Sequence, residues 1–186
     1  AILEANRVGW GASGRNGGQL IGGISGESRI QQSMGEERER LLWDLRWAGH
    51  KIIRDRVEKY QIDCDFKSGY VDVAIKPRHM RDLEAEFDYL DKNNFPFEYG
   101  LFSREETEGL LGTKAYLGSL LNMGNGHLHP LNLCIGEAKA VLSLGASIYE
   151  CSSVVRIDRG KKVKVVTEHG SVTADAAVLA GNAYHF

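Results

Sequence analysis

The feature that most constrains this chain is a glycine-rich bend following a short apolar run that ends in a carboxylate. Ala1-Ile2-Leu3-Glu4 leads within a few residues into Val8-Gly9-Trp10-Gly11-Ala12-Ser13-Gly14-Arg15-Asn16-Gly17-Gly18-Gln19. The apolar run reads as the C-terminal end of a buried parallel strand. Trp10, Arg15 and Asn16 among the glycines set the bend apart from a flexible Gly/Ser linker. Glycines let the backbone take positive φ and approach a ligand closely, so successive N–H groups can form a nest for an anion such as a pyrophosphate. Ser13 adds a hydroxyl donor and Arg15 a fixed positive charge. Asn16 offers a donor and an acceptor that suit the edge of a heteroaromatic ring. In dinucleotide folds a strand-end acid such as Glu4 accepts hydrogen bonds from the adenosine ribose hydroxyls. A solvated strand-end acid and an exposed surface loop are the competing readings of the same residues.

Periodicity along the rest of the chain gives an α/β pattern. From about Glu36 to Tyr60, the positions Leu42, Leu45, Gly49, Ile52, Ile53, Val57 and Tyr60 recur at three and four and predict a long amphipathic helix. Tyr70, Val71, Val73 and Ile75 read as a strand, and Pro77 opens a helix whose face carries Met80, Leu83, Phe87 and Leu90. Ser103 and Glu106 have capping-box spacing ahead of a short helix that Gly112 closes. Pro130 to Leu144 predicts another helix, stopped at Gly145. Ser147–Tyr149, Val154–Asp158, Lys162–Thr167 and Ser171–Leu179 read as strands, separated by turn signals at Gly160 and His169-Gly170.

Composition removes several classes of function. With 23 basic and 25 acidic side chains the chain lacks the basic excess of a dedicated nucleic-acid binder, and 42% hydrophobic residues argue against disorder. No run of about 18 apolar residues predicts a membrane-spanning helix. Cys64, Cys134 and Cys151 are odd in number and outside CxxC spacing, which disfavours a disulfide framework and a structural zinc site and makes a reducing cytoplasm the simplest setting. The first residue is Ala and no signal-peptide pattern follows, so the start is expected to be internal to a longer polypeptide. His127 and His129 could ligate a metal, but no third ligand lies at a recognisable spacing. A substrate hydrogen-bonding role and a plain pre-helix loop remain open for them. Trp43 and Trp47, four apart on one helix, are expected to pack on each other.

The stretch from Leu3 to Gln19 resembles the segment after the second strand in FAD-dependent amine and amino-acid oxidases of the D-amino-acid oxidase type. Four further stretches resemble the branch of that family that acts on gamma-glutamylputrescine: Tyr60-Gln61-Ile62-Asp63-Cys64-Asp65, Gly126-His127-Leu128-His129-Pro130-Leu131-Asn132-Leu133, Ile135-Gly136-Glu137-Ala138 and Ala180-Gly181-Asn182-Ala183-Tyr184. The resemblance implies FAD as cofactor, a small-molecule amine as substrate and dioxygen as oxidant. A C–N bond is oxidised to an imine, which water converts to an aldehyde with release of ammonia and hydrogen peroxide. It also implies that Glu4 holds the adenosine ribose with Ala5 and Arg7 beside it, and that Ser13 and Gly14 meet the pyrophosphate. Arg15, Asn16, Gly17, Gly18 and Gln19 then lie along the ribityl chain and flavin ring. Val154 matches the position whose backbone pairs with adenine. Ala180-Gly181 stands where the family more often has Ala-Thr-Gly, so the Thr is missing while close backbone approach at Gly181 is kept. Because the cofactor supplies reactivity and the protein orients a neutral amine, no catalytic acid or base and no metal is assigned.

On this reading the fold is α/β, a partial FAD-binding Rossmann-like domain with an inserted helical and β-sheet segment. Residues 1–25 belong to the FAD-binding part, 26–145 to the insertion on the substrate side, and 146–186 to the returning strands. Complete members of the family carry a strand and GxGxxG ahead of the acid and a C-terminal half beyond the last strand. The expectation is therefore a fragment, inactive alone, whose exposed sheet edge invites self-association. Two function classes follow: part of an FAD-dependent amine oxidase, or a non-catalytic binding or interaction domain that keeps the fold without the cofactor.

Overall fold

The structure, a computed structural model, describes residues 1–23 and 36–184. Residues 24–35, where the insertion is expected to begin, lie outside the described residues. The opening apolar run is a strand, β1 (Ile2–Leu3), paired in parallel with β6 (Ile148–Tyr149). Beyond it come the bend, with one short helical turn, α1 (Ala12–Arg15), and then β2 (Gln19–Leu20). Three antiparallel strands, β7 (Val154–Asp158), β8 (Val163–Thr167) and β9 (Ser171–Ala174), form a sheet in that order near the end of the chain.

The largest sheet is antiparallel and built on β5 (Gly118–His127). β3 (Lys67–Ala74) pairs along β5, which also pairs with β4 (Tyr99–Phe102) and β2. Neither alternation nor turn signals predict a strand at β2, β4 or β5. In β5, Gly118, Gly124, Gly126, Asn122 and Asn125 have poor strand propensity. The segment is extended because neighbouring strands take up its backbone donors and acceptors.

Helices α2 (Glu36–Lys59) and α3 (Pro77–Lys92), with the segment that follows α3, supply the core of this unit. Trp43, Leu90 and Phe95 are buried, with Trp47, Tyr89 and Tyr99 packed against them. The Trp43 and Trp47 rings meet edge to face at 5.9 Å, the mutual packing expected from their spacing. The buried face of α2 is nevertheless rotated from the one its apolar periodicity predicts. Leu42 is buried, but Leu45 and Ile52 are 54% and 48% exposed. The helix turns Trp43, Trp47 and His50 inward instead, because aromatic area is available there and His50 Nδ1 lies 3.1 Å from the Gly124 carbonyl.

The two remaining helices follow their sequence signals. In α4 (Arg104–Leu111) the Ser103 hydroxyl accepts from Glu106 N–H while the Glu106 carboxylate accepts from Ser103 N–H, and Gly112 closes the helix at φ 69°. α5 (Pro130–Ser143) begins at its proline and packs against α1. The strand expected over Ser171–Leu179 ends at Ala174. Val178 is 89% exposed, and no described strand pairs with residues beyond Ala174 to hold them extended. No helix among the described residues is long and apolar enough to cross a membrane.

Two measurements check this account. Trp43→Ala is expected to lower unfolding free energy by about 3–5 kcal/mol in denaturant titrations, the cost of emptying an aromatic core position. Hydrogen bonds from Ser103 hold the Glu106 carboxyl below its ordinary value. A depressed folded value means that the cap stabilises above the ordinary value and is lost as pH falls through the folded one. Glu106→Ala is therefore expected to lower Tm at neutral pH and to converge with the parent in strong acid.

Candidate functional site

Glycine has two distinct uses in the bend, and together they define the site. Gly9 and Gly18 both have φ of 73°. At Gly14 a Cβ would collide with the Gly9 carbonyl, and at Gly18 it would collide with the Leu128 carbonyl. These positions are glycine because chain crosses chain there. Leu128 N–H donates to the Gly18 carbonyl at 2.9 Å, fixing the bend to the end of β5. At Gly17, by contrast, a Cβ would meet only the side chain of Gln19, at 3.1 Å, so that stretch of backbone is open on one side.

The side chains of the bend divide in the same way. Asn16 Nδ2 donates to the carbonyls of Ala12 and Ser13, both at 3.0 Å, and its Oδ1 accepts from Gly18 N–H at 2.8 Å. Asn16 thus closes α1, and its side chain is committed to the bend rather than held free for a ring edge. Arg15 is exposed, with its guanidinium 4.8 Å from the Trp10 ring centroid. Ser13 is exposed in the first turn of α1, and no side chain caps Gly11 ahead of it.

Glu4 stands at the end of β1, half-buried, with Oε1 accepting from Asn6 N–H at 2.8 Å. The backbone from Glu4 to Asn6 is stitched to the end of β6 and the turn after it: Glu4 N–H donates to Tyr149 O, Ser152 N–H to Glu4 O and Cys151 N–H to Asn6 O. Val8 N–H donates to Glu150 Oε1 at 2.7 Å. The fold therefore brings Glu4, Ala5 and Arg7 beside the turn that leads into Val154, the first residue of β7, 42% exposed. Ala180 is exposed and Gly181 half-buried just ahead of a 3-10 turn at Asn182–Tyr184. Glu150 is the clamp that sequence reasoning missed. Its only signal was a charged residue at a strand end, 142 residues from its partner.

On the far side of the bend, Gln19 pairs with His127, and His127 with Lys67. His129 is a helix cap: its Nδ1 accepts from Asn132 N–H at 3.2 Å, and its own N–H donates to Cys64 O at 2.6 Å. Lys67 Nζ lies 2.9 Å from Asp65 Oδ1. That hydrogen bond, and then the lysine charge, hold the Asp65 carboxyl below its ordinary value, with weaker pulls from His127 and His129. Asp65 holds the Lys67 ammonium above its ordinary value in return.

The profile of the FAD dependent oxidoreductase family matches residues 1–186. The chain belongs to this family. It is 40% identical over 185 residues to gamma-glutamylputrescine oxidoreductase of Escherichia coli, covering 98% of the chain and 43% of that protein. A probable oxidoreductase, OrdL, of Haemophilus influenzae is 40% identical over 186 residues, again covering 98% and 43%. Glycine oxidase from Geobacillus kaustophilus superposes with a TM-score of 0.70 at 21% identity, over 94% of this chain and 46% of that one. The chain thus spans less than half the length of these relatives. FAD is the family's cofactor, and the open backbone at Gly17, the exposed Arg15 cation and the carboxylate of Glu4 suit its flavin, phosphate and ribose groups.

The two kinds of glycine are separable. Gly18→Ala is expected to cost about 2–5 kcal/mol, because positive φ and a backbone collision add, whereas Gly17→Ala leaves Tm within about 2 °C, since the loss there is a surface change. Thermal unfolding of the two variants checks the contrast.

Proposed function

We propose that this chain supplies the adenosine- and flavin-facing bend, and part of the substrate side, of an FAD-dependent amine oxidase acting on gamma-glutamylputrescine or a related polyamine conjugate. The observation that carries the proposal is the bend itself. It is clamped at both ends by Glu150 and Leu128, yet leaves Arg15 and Gly17 uncovered. The substrate class follows from similarity to the Escherichia coli enzyme.

In this reading Glu4 accepts the ribose hydroxyls, with Ala5 and Arg7 at its flanks, and Val154 meets adenine through its backbone. Ser13 and Gly14 face the pyrophosphate, and Arg15 neutralises charge close by. Asn16, whose side chain is spent within the bend, acts by shaping Gly17 and Gly18 for the flavin ring, with Gln19 at its border and Ala180-Gly181 approaching by backbone. When bound, FAD supplies a hydride acceptor for the amine-bearing carbon and a route for the electron pair to dioxygen. The chain's part is orientation, which holds the neutral amine and the acceptor in reacting geometry. The amine gives up a hydride from carbon and a proton from nitrogen, and water converts the imine to aldehyde and ammonia. Dioxygen, with two electrons and two protons, leaves as hydrogen peroxide. A reducing cytoplasmic setting accords with Cys64, Cys134 and Cys151, all of which are free thiols.

The full-length protein is expected to purify yellow and to form peroxide and aldehyde in equal amounts from gamma-glutamylputrescine. Glu4→Gln is expected to weaken FAD binding about 10- to 100-fold, the loss of a charge-assisted hydrogen bond, read by flavin fluorescence titration of the apoprotein with Tm unchanged. A colourless protein that FAD cannot reconstitute, or a Glu4→Gln variant with parental affinity, contradicts the proposal.

A further inference from the structure

Across the antiparallel sheet, Gln19, His127 and Lys67 stand in one rank, Gln19 opposite His127 on β5 and His127 opposite Lys67 on β3. Directly opposed residues project from the same sheet face, and all three are exposed. The rank is held at its base by the Leu128 N–H bond to Gly18 and the His129 N–H bond to Cys64. Beside Lys67, Asp65 closes an ion pair at 2.9 Å, with side-chain exposures of 59% and 72%. An ion pair this exposed is weak in water and can exchange partners at little cost. Among the described residues, no three His, Cys, Asp or Glu side chains converge as metal ligands. What the rank offers on one face is an amide, an imidazole and a cation, in that order from the bend, with the Asp65 anion paired to the cation.

We propose that this rank measures the substrate: Gln19 marks the flavin end, His127 receives the amide, and Lys67 with Asp65 receives the carboxylate and ammonium of the gamma-glutamyl group. The inference rests on the function proposed above and assigns the part of the site that reads the glutamyl end. Lengths support it. Neighbouring strands lie about 4.8 Å apart, so His127 and Lys67 stand about 5 and 10 Å from Gln19 across the sheet. An extended chain advances about 3.3–3.6 Å for every three bonds. In gamma-glutamylputrescine the amide nitrogen is four bonds from the carbon that is oxidised and the glutamyl α-carbon eight, about 5 and 9–10 Å on that scale. The zwitterion thus reaches the Lys67–Asp65 pair as the amide passes His127, and each charged group of the substrate finds its opposite.

The test uses the full-length holoenzyme and two amines: gamma-glutamylputrescine, and N-acetylputrescine, which keeps the amine and the amide but has no zwitterion. Lys67→Met and Asp65→Asn are expected to raise KM for the glutamylated amine about 10- to 100-fold, with kcat changed by less than about 2-fold because the lost contact is made equally before and during reaction. The KM of N-acetylputrescine, or its inhibition constant if it is not turned over, stays constant. Lys67→Arg restores most of the loss, and His127→Ala raises the constants of both amines. Flavin absorbance of each variant shows whether the holoenzyme has assembled. Unchanged KM for the glutamylated amine, or equal changes for both amines in the Lys67 and Asp65 variants, overturns the assignment while leaving the oxidase function standing. A yellow parent enzyme that oxidises neither amine overturns the proposed function, and this inference with it.

Discussion

The arrangement depends on one backbone crossing, where Gly18 meets Leu128. The Gly18 carbonyl accepts Leu128 N–H at 2.9 Å, and the absent Cβ is what lets the two chains approach. That contact sets the register of β2 on β5, so Gln19 falls opposite His127. The bend is seated where β5 gives way to α5, on which α1 packs. A side chain here collides with the Leu128 carbonyl and forces apart the two backbones that the Leu128 N–H bond holds together.

From that crossing the constraint passes into the rest of the molecule through polar contacts. Gly22 N–H, just beyond β2, donates to Asn125 Oδ1 at 2.8 Å, and Arg46 Nε donates to Gly22 O at 3.0 Å. The same guanidinium reaches Glu86 at 2.7 Å and so joins α2 to α3, with the arginine side chain only 11% exposed. A largely buried charge needs such a partner, so these contacts order the strand and both helices together. The aromatic cluster of Trp43, Trp47 and Phe95 supplies the apolar area behind them. Rigidity is what the bend requires, since orientation of a bound cofactor and substrate is the protein's main contribution to this chemistry.

Much of the helical framework was legible in the residues. Pro77, Pro130 and the Ser103–Glu106 box mark helix starts by local chemistry, and the structure uses each of them. The bend was legible as a unit, although not the division of labour inside it. Asn16 turned inward to close a helical turn that glycine-rich sequence does not announce. β5 was illegible because Gly and Asn do not favour extended backbone, and the face of α2 was misread because Leu45 and Ile52 fit the period as well as Trp43 and Trp47 do.

What the sequence determined by itself is whatever depends on neighbours a few residues away: helix starts and stops, a short apolar run ending in an acid, and a bend that only glycine can make. The tertiary structure alone decided which glycines are consumed by chain crossing and which stay open. It also decided that Glu150 clamps Val8, and that Gln19, His127 and Lys67 form one rank. The physical reason is range. Capping and φ preference act within a turn, whereas pairing register and helix orientation are set by contacts that exist only once distant segments have met.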